Sequence, residues 1–388
     1  MMKPLPIDIR YLQDILGGLL AIPSPSGRTD DIVRHTCQEL DKLDVHYELT
    51  RRGAIRAHLA GEQEQPRRAV VAHLDTLGAM VKQLKHNGRL SCVPIGHWSS
   101  RFAEGARCTL FTERGSFRGS ILSLKASGHT YNEEVDTQPT SWPNVELRVD
   151  ALARTRRDLE KLGIAIGDTV AVDTRAEFLA NGYIVSRHLD DKAGCAAMFA
   201  ALKALVEDGS RLPVDTVFIF SISEEVGVGA SSVLTHDVAS LVTVDNGTTA
   251  PGQASDEFGV TIGMADQTGP YDYHLTRKLI RLCLENDIAY QQDIFRYYRS
   301  DSASAIEAGH DVRTALIAFG IDASHGHERI HMHALRSLAE LMTAYARSPV
   351  EIPRDAEEIG SLKGFTKQPM KEAKSTLLTP AGPDDAER

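Results

Sequence analysis

Ser221-Ile222-Ser223-Glu224-Glu225-Val226-Gly227 sets two adjacent carboxylates at the mouth of an apolar run, Asp215-Thr216-Val217-Phe218-Ile219-Phe220. That run, β-branched and aromatic almost throughout, reads as a strand buried in a sheet. Two acids side by side where it ends repel each other and lose hydration, so something positive must compensate them. A solvated turn with helix-capping acids is the plain alternative.

The pattern recurs along the chain. Val70-Val71-Ala72-His73-Leu74-Asp75 is an apolar run ending in His and Asp, and Leu241-Val242-Thr243-Val244-Asp245 is another ending in Asp. The run at 314–320 is followed by Ser324-His325, and Asp190-Asp191 stands directly before an alanine-rich helix. Each of these residues lies at or just past the carboxyl end of a predicted strand, where open α/β sheets build their sites. The fold class is therefore α/β, a mostly parallel central sheet flanked by helices.

A chain of 388 residues with 42% hydrophobic content divides into more than one body around a real core. The formal net charge of −10, with no concentrated basic stripe, argues against a nucleic-acid or anionic-membrane partner. No apolar run approaches the roughly 20 residues that cross a bilayer, and no signal peptide is apparent. Five scattered cysteines with no CxxC pair fit reduced thiols in the cytoplasm.

Residues 7–20 and 29–43 read as amphipathic helices. From 79 to 182 the texture changes to short alternating runs broken by glycine turns, a small β-rich module with one helical insert at 151–162. From 183 the α/β rhythm returns, with helices expected at 191–207, 271–287 and 334–347. The chemistry-bearing residues lie on both sides of the module. It is thus an insertion between residues 1–78 and 183–348 of one catalytic domain. Residues 349–388, with five prolines and mixed charge, read as a packed-down or disordered tail.

Dinuclear hydrolytic sites use two cations roughly 3.5–4 Å apart that share a carboxylate and a water. Two histidines and three acids at the strand ends supply such ligands, one further acid remains to move protons, and no cysteine is among them. Asp75 is placed to accept from His73 and fix its tautomer.

With Ala72-His73-Leu74-Asp75-Thr76-Leu77-Gly78, Leu189-Asp190-Asp191-Lys192-Ala193-Gly194, Ser223-Glu224-Glu225-Val226-Gly227 and Val244-Asp245, together with Val93-Pro94-Ile95-Gly96 and Trp98, the chain resembles the tetrahedral and glutamyl aminopeptidase family. These are co-catalytic dinuclear metallopeptidases of the cytosol, and the resemblance spans roughly residues 10–345. It implies two divalent ions per subunit, zinc first, with cobalt or manganese as alternatives. It makes Asp190 the carboxylate bridging them, with Glu225 and His325 on one ion and His73 and Asp245 on the other. Glu224 becomes the general base and Asp75 the acid that orients His73. The resemblance also implies a cis peptide bond between Asp190 and Asp191, and a PDZ-like insertion that mediates homo-oligomer contacts, commonly toward a dodecamer.

The family's Arg-Tyr-x-His-Ser segment is replaced here by residues 322–333, where four histidines compete; ungapped placement selects His325, with His331 as runner-up. This ending and the tail resemble a narrower branch associated with the osmoprotectant N-acetylglutaminylglutamine amide, which implies a small peptide or peptide-amide substrate. A deacylase or amidase using the same ions, and a shell-forming homologue without activity, are the competing readings. His35, His46, His58, His86 and His274 read as solvent-facing. His97 and His129 fall in insertion segments that approach the site. Asp301 reads equally as a helix cap or a neighbour of the site.

Overall fold

The computed structural model describes residues 4–235, 238–357 and 359–369. The run at 215–220 forms the strand Leu212–Ser221, fully buried from Thr216 onward. It pairs in parallel with Gly61–His73, bringing Ser221 beside His73. Gly61–His73 pairs in parallel with Val238–Thr248, Thr243 beside Val71. Two residues further along both strands, Asp245 therefore stands level with His73. Val238–Thr248 pairs in parallel with Arg313–Ile321, Asp245 beside Ala318. Antiparallel strands flank this parallel centre, Ile55–Leu59 on one side and Val260–Asp266 on the other.

Helices cover the faces. Ile9–Leu20, Leu189–Asp208 and Met332–Arg347 pack together, with Leu189–Asp208 lying against the central strands. Its run of alanines lets backbone approach backbone. A Cβ added at Gly194 would lie 2.2 Å from Asp191 Oδ1 and 2.8 Å from Val244 Cγ1. Asp190 and Asp191 have non-helical backbone angles, so the regular helix begins after them, and the peptide bond between them is cis. Buried Arg68 closes the far end of the sheet by donating to the carbonyls of Tyr345, Ser348 and Pro349, at 2.9, 2.7 and 2.9 Å. A guanidinium on the last carbonyls of a helix satisfies acceptors that have no partner within the helix.

Between the two halves of the sheet domain, strands from Gly78–Leu84 to Thr169–Val172 close into a barrel filled by Val81, Leu90, Cys108, Leu110, Leu147 and Val170. The barrel's last strand ends at Val172. The expected boundary at 182 instead falls inside a hairpin, Glu177–Phe178 with Tyr183–Ser186, whose second strand pairs with Glu328–His331 of the sheet domain. Alternation and glycine turns look the same in either body, so the change of partner left no mark in the sequence. The helix expected at 151–162 is confined to Arg156–Lys161 behind a Thr155–Asp158 capping box. The short turns Gly128–Tyr131 and Glu134–Thr137 were not anticipated, being too brief to show a period.

His274 is a correction. It is buried, on the inward face of Tyr273–Glu285 with Leu275, Lys278 and Leu282, rather than solvent-facing. Of the tail, residues 349–357 pack against the sheet domain through the Pro349 carbonyl and the Asp355–Arg313 pair. Residues 370–388 lie outside the described residues. No described helix is long and apolar enough to cross a membrane.

Gly194→Ala tests the close approach. Alanine in a helix ordinarily gains about 1 kcal/mol over glycine, but here the methyl meets the Asp191 carboxylate and Val244. The variant should lose about 1–3 kcal/mol of unfolding free energy, the usual cost of overpacking. Urea denaturation of the metal-free protein checks this; a gain in stability would show that helix and sheet stand further apart.

Candidate metal centre

The candidate residues converge at the carboxyl edge of the parallel strands. His73 is the last residue of its strand, whereas Asp245 lies inside Val238–Thr248. Asp190 precedes the regular helix. Glu224 and Glu225 occupy a tight turn beyond Ser221, closed by Gly227 N–H to the Glu224 carbonyl at 2.6 Å. The expectation that strand alternation separates these two glutamates is thus corrected: a turn, not a strand end, aims them. His325 lies in the turn after Arg313–Ile321 with a left-handed φ of 66°.

Two groups result, His73 with Asp190 and Asp245, and Asp190 with Glu225 and His325; within each, the candidate ligand atoms lie within 4.8 Å of one another. Asp190 belongs to both. Its Oδ1 is 3.2 Å from His73 Nε2 and its Oδ2 is 3.2 Å from His325 Nε2. Glu224 reaches the first group, 3.7 Å from His73 Nε2, and Glu225 the second, 3.7 Å from His325 Nε2. His331 belongs to neither, its Nε2 bonded to the Asn181 carbonyl at 3.0 Å. His129 is exposed on the insertion.

Both histidines are aimed through their other nitrogen. His73 Nδ1 lies 2.9 Å from the Asp75 carbonyl, and His325 Nδ1 lies 2.8 Å from the His97 carbonyl of the insertion. A carbonyl only accepts, so each Nδ1 carries a proton, and each Nε2 faces Asp190, donating to it here and able to turn its lone pair to a cation once that proton is lost.

The role expected for Asp75 changes in detail. Its strand ends two residues earlier, so the main-chain carbonyl takes the His73 proton while the carboxylate, 3.7 Å away, turns elsewhere. Its oxygens accept from Glu224 N at 3.1 Å, Glu225 N at 3.3 Å and Ser26 Oγ at 2.5 Å.

Two further residues, Asn246 and Glu328, escaped the sequence reading, and Asp191, read only as the second of an acidic pair, gains a role. Asn246 donates to Asp190 Oδ2 at 2.8 Å and to Asp245 Oδ1 at 3.1 Å. Asp191 accepts from His73 N at 3.2 Å. Buried Glu328 accepts from the main chain on both sides of the centre. The Glu-after-His spacing could have flagged Glu328; nothing marked Asn246. Asp301, at the start of Asp301–Glu307, accepts from Ser221 Oγ at 2.6 Å and Ala230 N at 2.7 Å, a bracing position beside the Glu224 turn.

The electrostatics follow from burial and crowding. Burial and the Asp190 charge push Asp245 up to about 7 and Glu328 up to about 8. Burial raises Glu224 and Glu225 well above the ordinary range against the pull of the histidines. For Asp190, burial is outweighed by hydrogen bonds from His325 and His73, and its carboxyl lies below the usual range. Burial would lower His325, but Asp190 and Glu225 carry it up to about 10.

These residues fit a cation. Glu225 Oε1 is buried with no hydrogen-bond partner, and mixed imidazole and carboxylate donors suit divalent ions such as zinc, cobalt or manganese. Such a centre on the carboxyl edge of an α/β sheet defines a metal-dependent hydrolase.

The sequence model of the M42 glutamyl aminopeptidase family matches residues 53–341. YhfE of Bacillus subtilis (strain 168), by name an aminopeptidase, is 37% identical over 88% of this chain and 99% of its own length. The chain belongs to the M42 glutamyl aminopeptidase family, and with it to the peptide-bond hydrolases. In fold it matches an aminopeptidase of Desulfurococcus kamchatkensis, TM-score 0.78 at 21% identity, over 87% of this chain and 94% of that one. It also matches the TET1 peptidase of Pyrococcus horikoshii, TM-score 0.76 at 23% identity, over 86% and 99%.

Raised carboxyl pKa values stabilise the folded state below their ordinary values near 4 and lose that contribution as pH rises through about 7–8; His325 behaves alike between about 6.5 and 10. Asp190, held low, does not vary in this window. Protons and a cation therefore compete for the centre. The rise in melting temperature on adding zinc to chelator-treated protein should be larger at pH 8 than at pH 6. Lys192 and Lys278, which burial lowers to about 7, cancel in that difference. Thermal melts with zinc and with chelator at both pH values check this; equal gains would count against the centre.

Proposed function

We propose that the enzyme is a dinuclear aminopeptidase acting on small peptides and peptide amides. The observation that carries this is the position of Asp190, one oxygen toward His73 and the other toward His325. Asp190 would be shared by two divalent ions, zinc first, one held also by His73 and Asp245 and the other by Glu225 and His325. Bound ions supply Lewis acidity and make a water acidic enough to ionise near neutral pH. The remaining chemistry is the chain's own. Glu224, with 14% of its side chain exposed, is the acid at the centre that can receive a proton and deliver it to the leaving amine. Asp75 positions it by holding the Glu224 and Glu225 N–H groups.

We also infer a cytoplasmic homo-oligomer. Five free cysteines, all buried, suit a reducing compartment. Leu152 and Ile166 on the insertion are 96% and 70% exposed, apolar surface of the kind that subunit contacts cover. The Pyrococcus horikoshii TET1 peptidase is described as assembling into a tetrahedron or a large octahedral shell, and the insertion would serve the same purpose here. Light scattering should give a mass several times 42.5 kDa; a monomer would count against assembly.

Glu224→Gln should keep metal and assembly but lose turnover by ~10²–10⁴-fold, the usual worth of acid–base assistance. Glu225→Gln should instead bind less metal and regain part of its activity in excess metal. Metal analysis beside turnover on free, N-acetylated and amidated dipeptides decides the roles. A metal-poor Glu224→Gln would reverse the two glutamates, and hydrolysis of only acetylated substrates would replace the aminopeptidase reading by a deacylase.

A further inference from the structure

Glu328 is 1% exposed, at the start of the strand Glu328–His331, three residues after His325. Its Oε2 accepts from Leu189 N at 2.7 Å and Asp190 N at 3.2 Å; its Oε1 accepts from His325 N at 2.9 Å. One carboxylate thus holds the main chain beneath two side chains that meet above it, Asp190 Oδ2 and His325 Nε2 at 3.2 Å.

Neither of those main-chain segments is held by regular secondary structure. Asp190 has non-helical angles at the head of its helix, and His325 sits at φ 66°, which costs energy in a residue other than glycine. Three N–H donors converge on one group, a demand that two carboxylate oxygens meet and an amide or hydroxyl does not. A carboxyl group beside Asp190 costs electrostatic energy whenever it ionises.

We propose that Glu328 is the positioning residue that sets the separation of Asp190 and His325, and through it the affinity of the centre for divalent metal. The inference rests on the dinuclear reading above. The clamp fixes two peptide groups rather than two side chains, so it aims Asp190 and His325 without occupying their ligand atoms.

Glu328→Gln tests it. Glutamine keeps the volume but offers one acceptor oxygen, which can serve residues 189–190 or His325 but not both. Assembly size and circular dichroism should match wild type. Zinc affinity should weaken roughly 10–100-fold, the scale for groups that hold ligands in place. The visible spectrum of the cobalt-loaded enzyme should change, and kcat should fall more than KM rises. Glu328→Asp, with both acceptors on a shorter stem, should lie between the two, and it carries the comparison if the glutamine variant does not fold.

A variant that melts lower yet keeps wild-type zinc affinity and cobalt spectrum overturns the proposal and leaves a structural role alone. Wild-type protein that binds no divalent metal overturns the dinuclear reading, and this inference with it.

Discussion

The crowding of buried carboxyl groups is the constraint on which this structure depends. Asp75, Asp190, Asp191, Asp245, Asp301 and Glu328 are each no more than 3% exposed, and they crowd the same edge of the sheet. Such a concentration survives only if the carboxyl groups are hydrogen-bonded, face positive charge or keep their protons, as burial drives Asp191, Asp245, Asp301 and Glu328 to do. The chain divides the labour. Asp190 and Asp245 turn toward the imidazoles, while Asp75, Asp191, Asp301 and Glu328 take main-chain N–H groups of Glu224, Glu225, His73, Ala230, Asp190 and His325. The loops at this edge have no ladder of their own, and the second set of acids replaces it.

That division explains what could be read from the residues and what could not. His73, Glu224, Glu225, Asp245 and His325 were legible because each ends or closely follows an apolar run, and a parallel sheet presents such positions along one edge. The register places these strand positions level, with Ser221 beside His73 and Asp245 beside Ala318. Asn246 was missed because Asp190, the partner that brings it to the centre, is 56 residues away; Glu328 was missed although His325 is only three residues away, because its Asp190 partner is 138 residues away. Asp75 was assigned to the right neighbourhood for the wrong atom, since the reading carried its strand two residues too far. The barrel was legible as a module, but not the point where the chain leaves it, because Tyr183–Ser186 alternates like a barrel strand while pairing with Glu328–His331.

Lys192 shows how far the consequences of this edge reach. Immediately after Asp190-Asp191, it is 1% exposed and donates to the carbonyls of Leu19 and Ile22 at 2.9 and 2.6 Å, at the end of the helix Ile9–Leu20. The ammonium therefore completes the carboxyl end of the first helix, where cations are favoured, instead of neutralising the aspartates beside it. The first helix and the centre are tied through one side chain. Burial, which lowers Lys192 to about 7, is the cost of that tie.

The contact between His325 and the insertion is made by a carbonyl, that of His97. Every amino acid carries the same group, so residue 97 can change identity while the acceptor stays where it is. A substitution at residue 97 can therefore change the surface of the insertion without removing the acceptor on which the His325 imidazole is seated. Side chains join the two modules as well, the Arg28 guanidinium lying 3.7 Å from the centre of the Phe111 ring. At His325 the link is a backbone one: what the contact needs is the path of the chain through residue 97, not the residue found there.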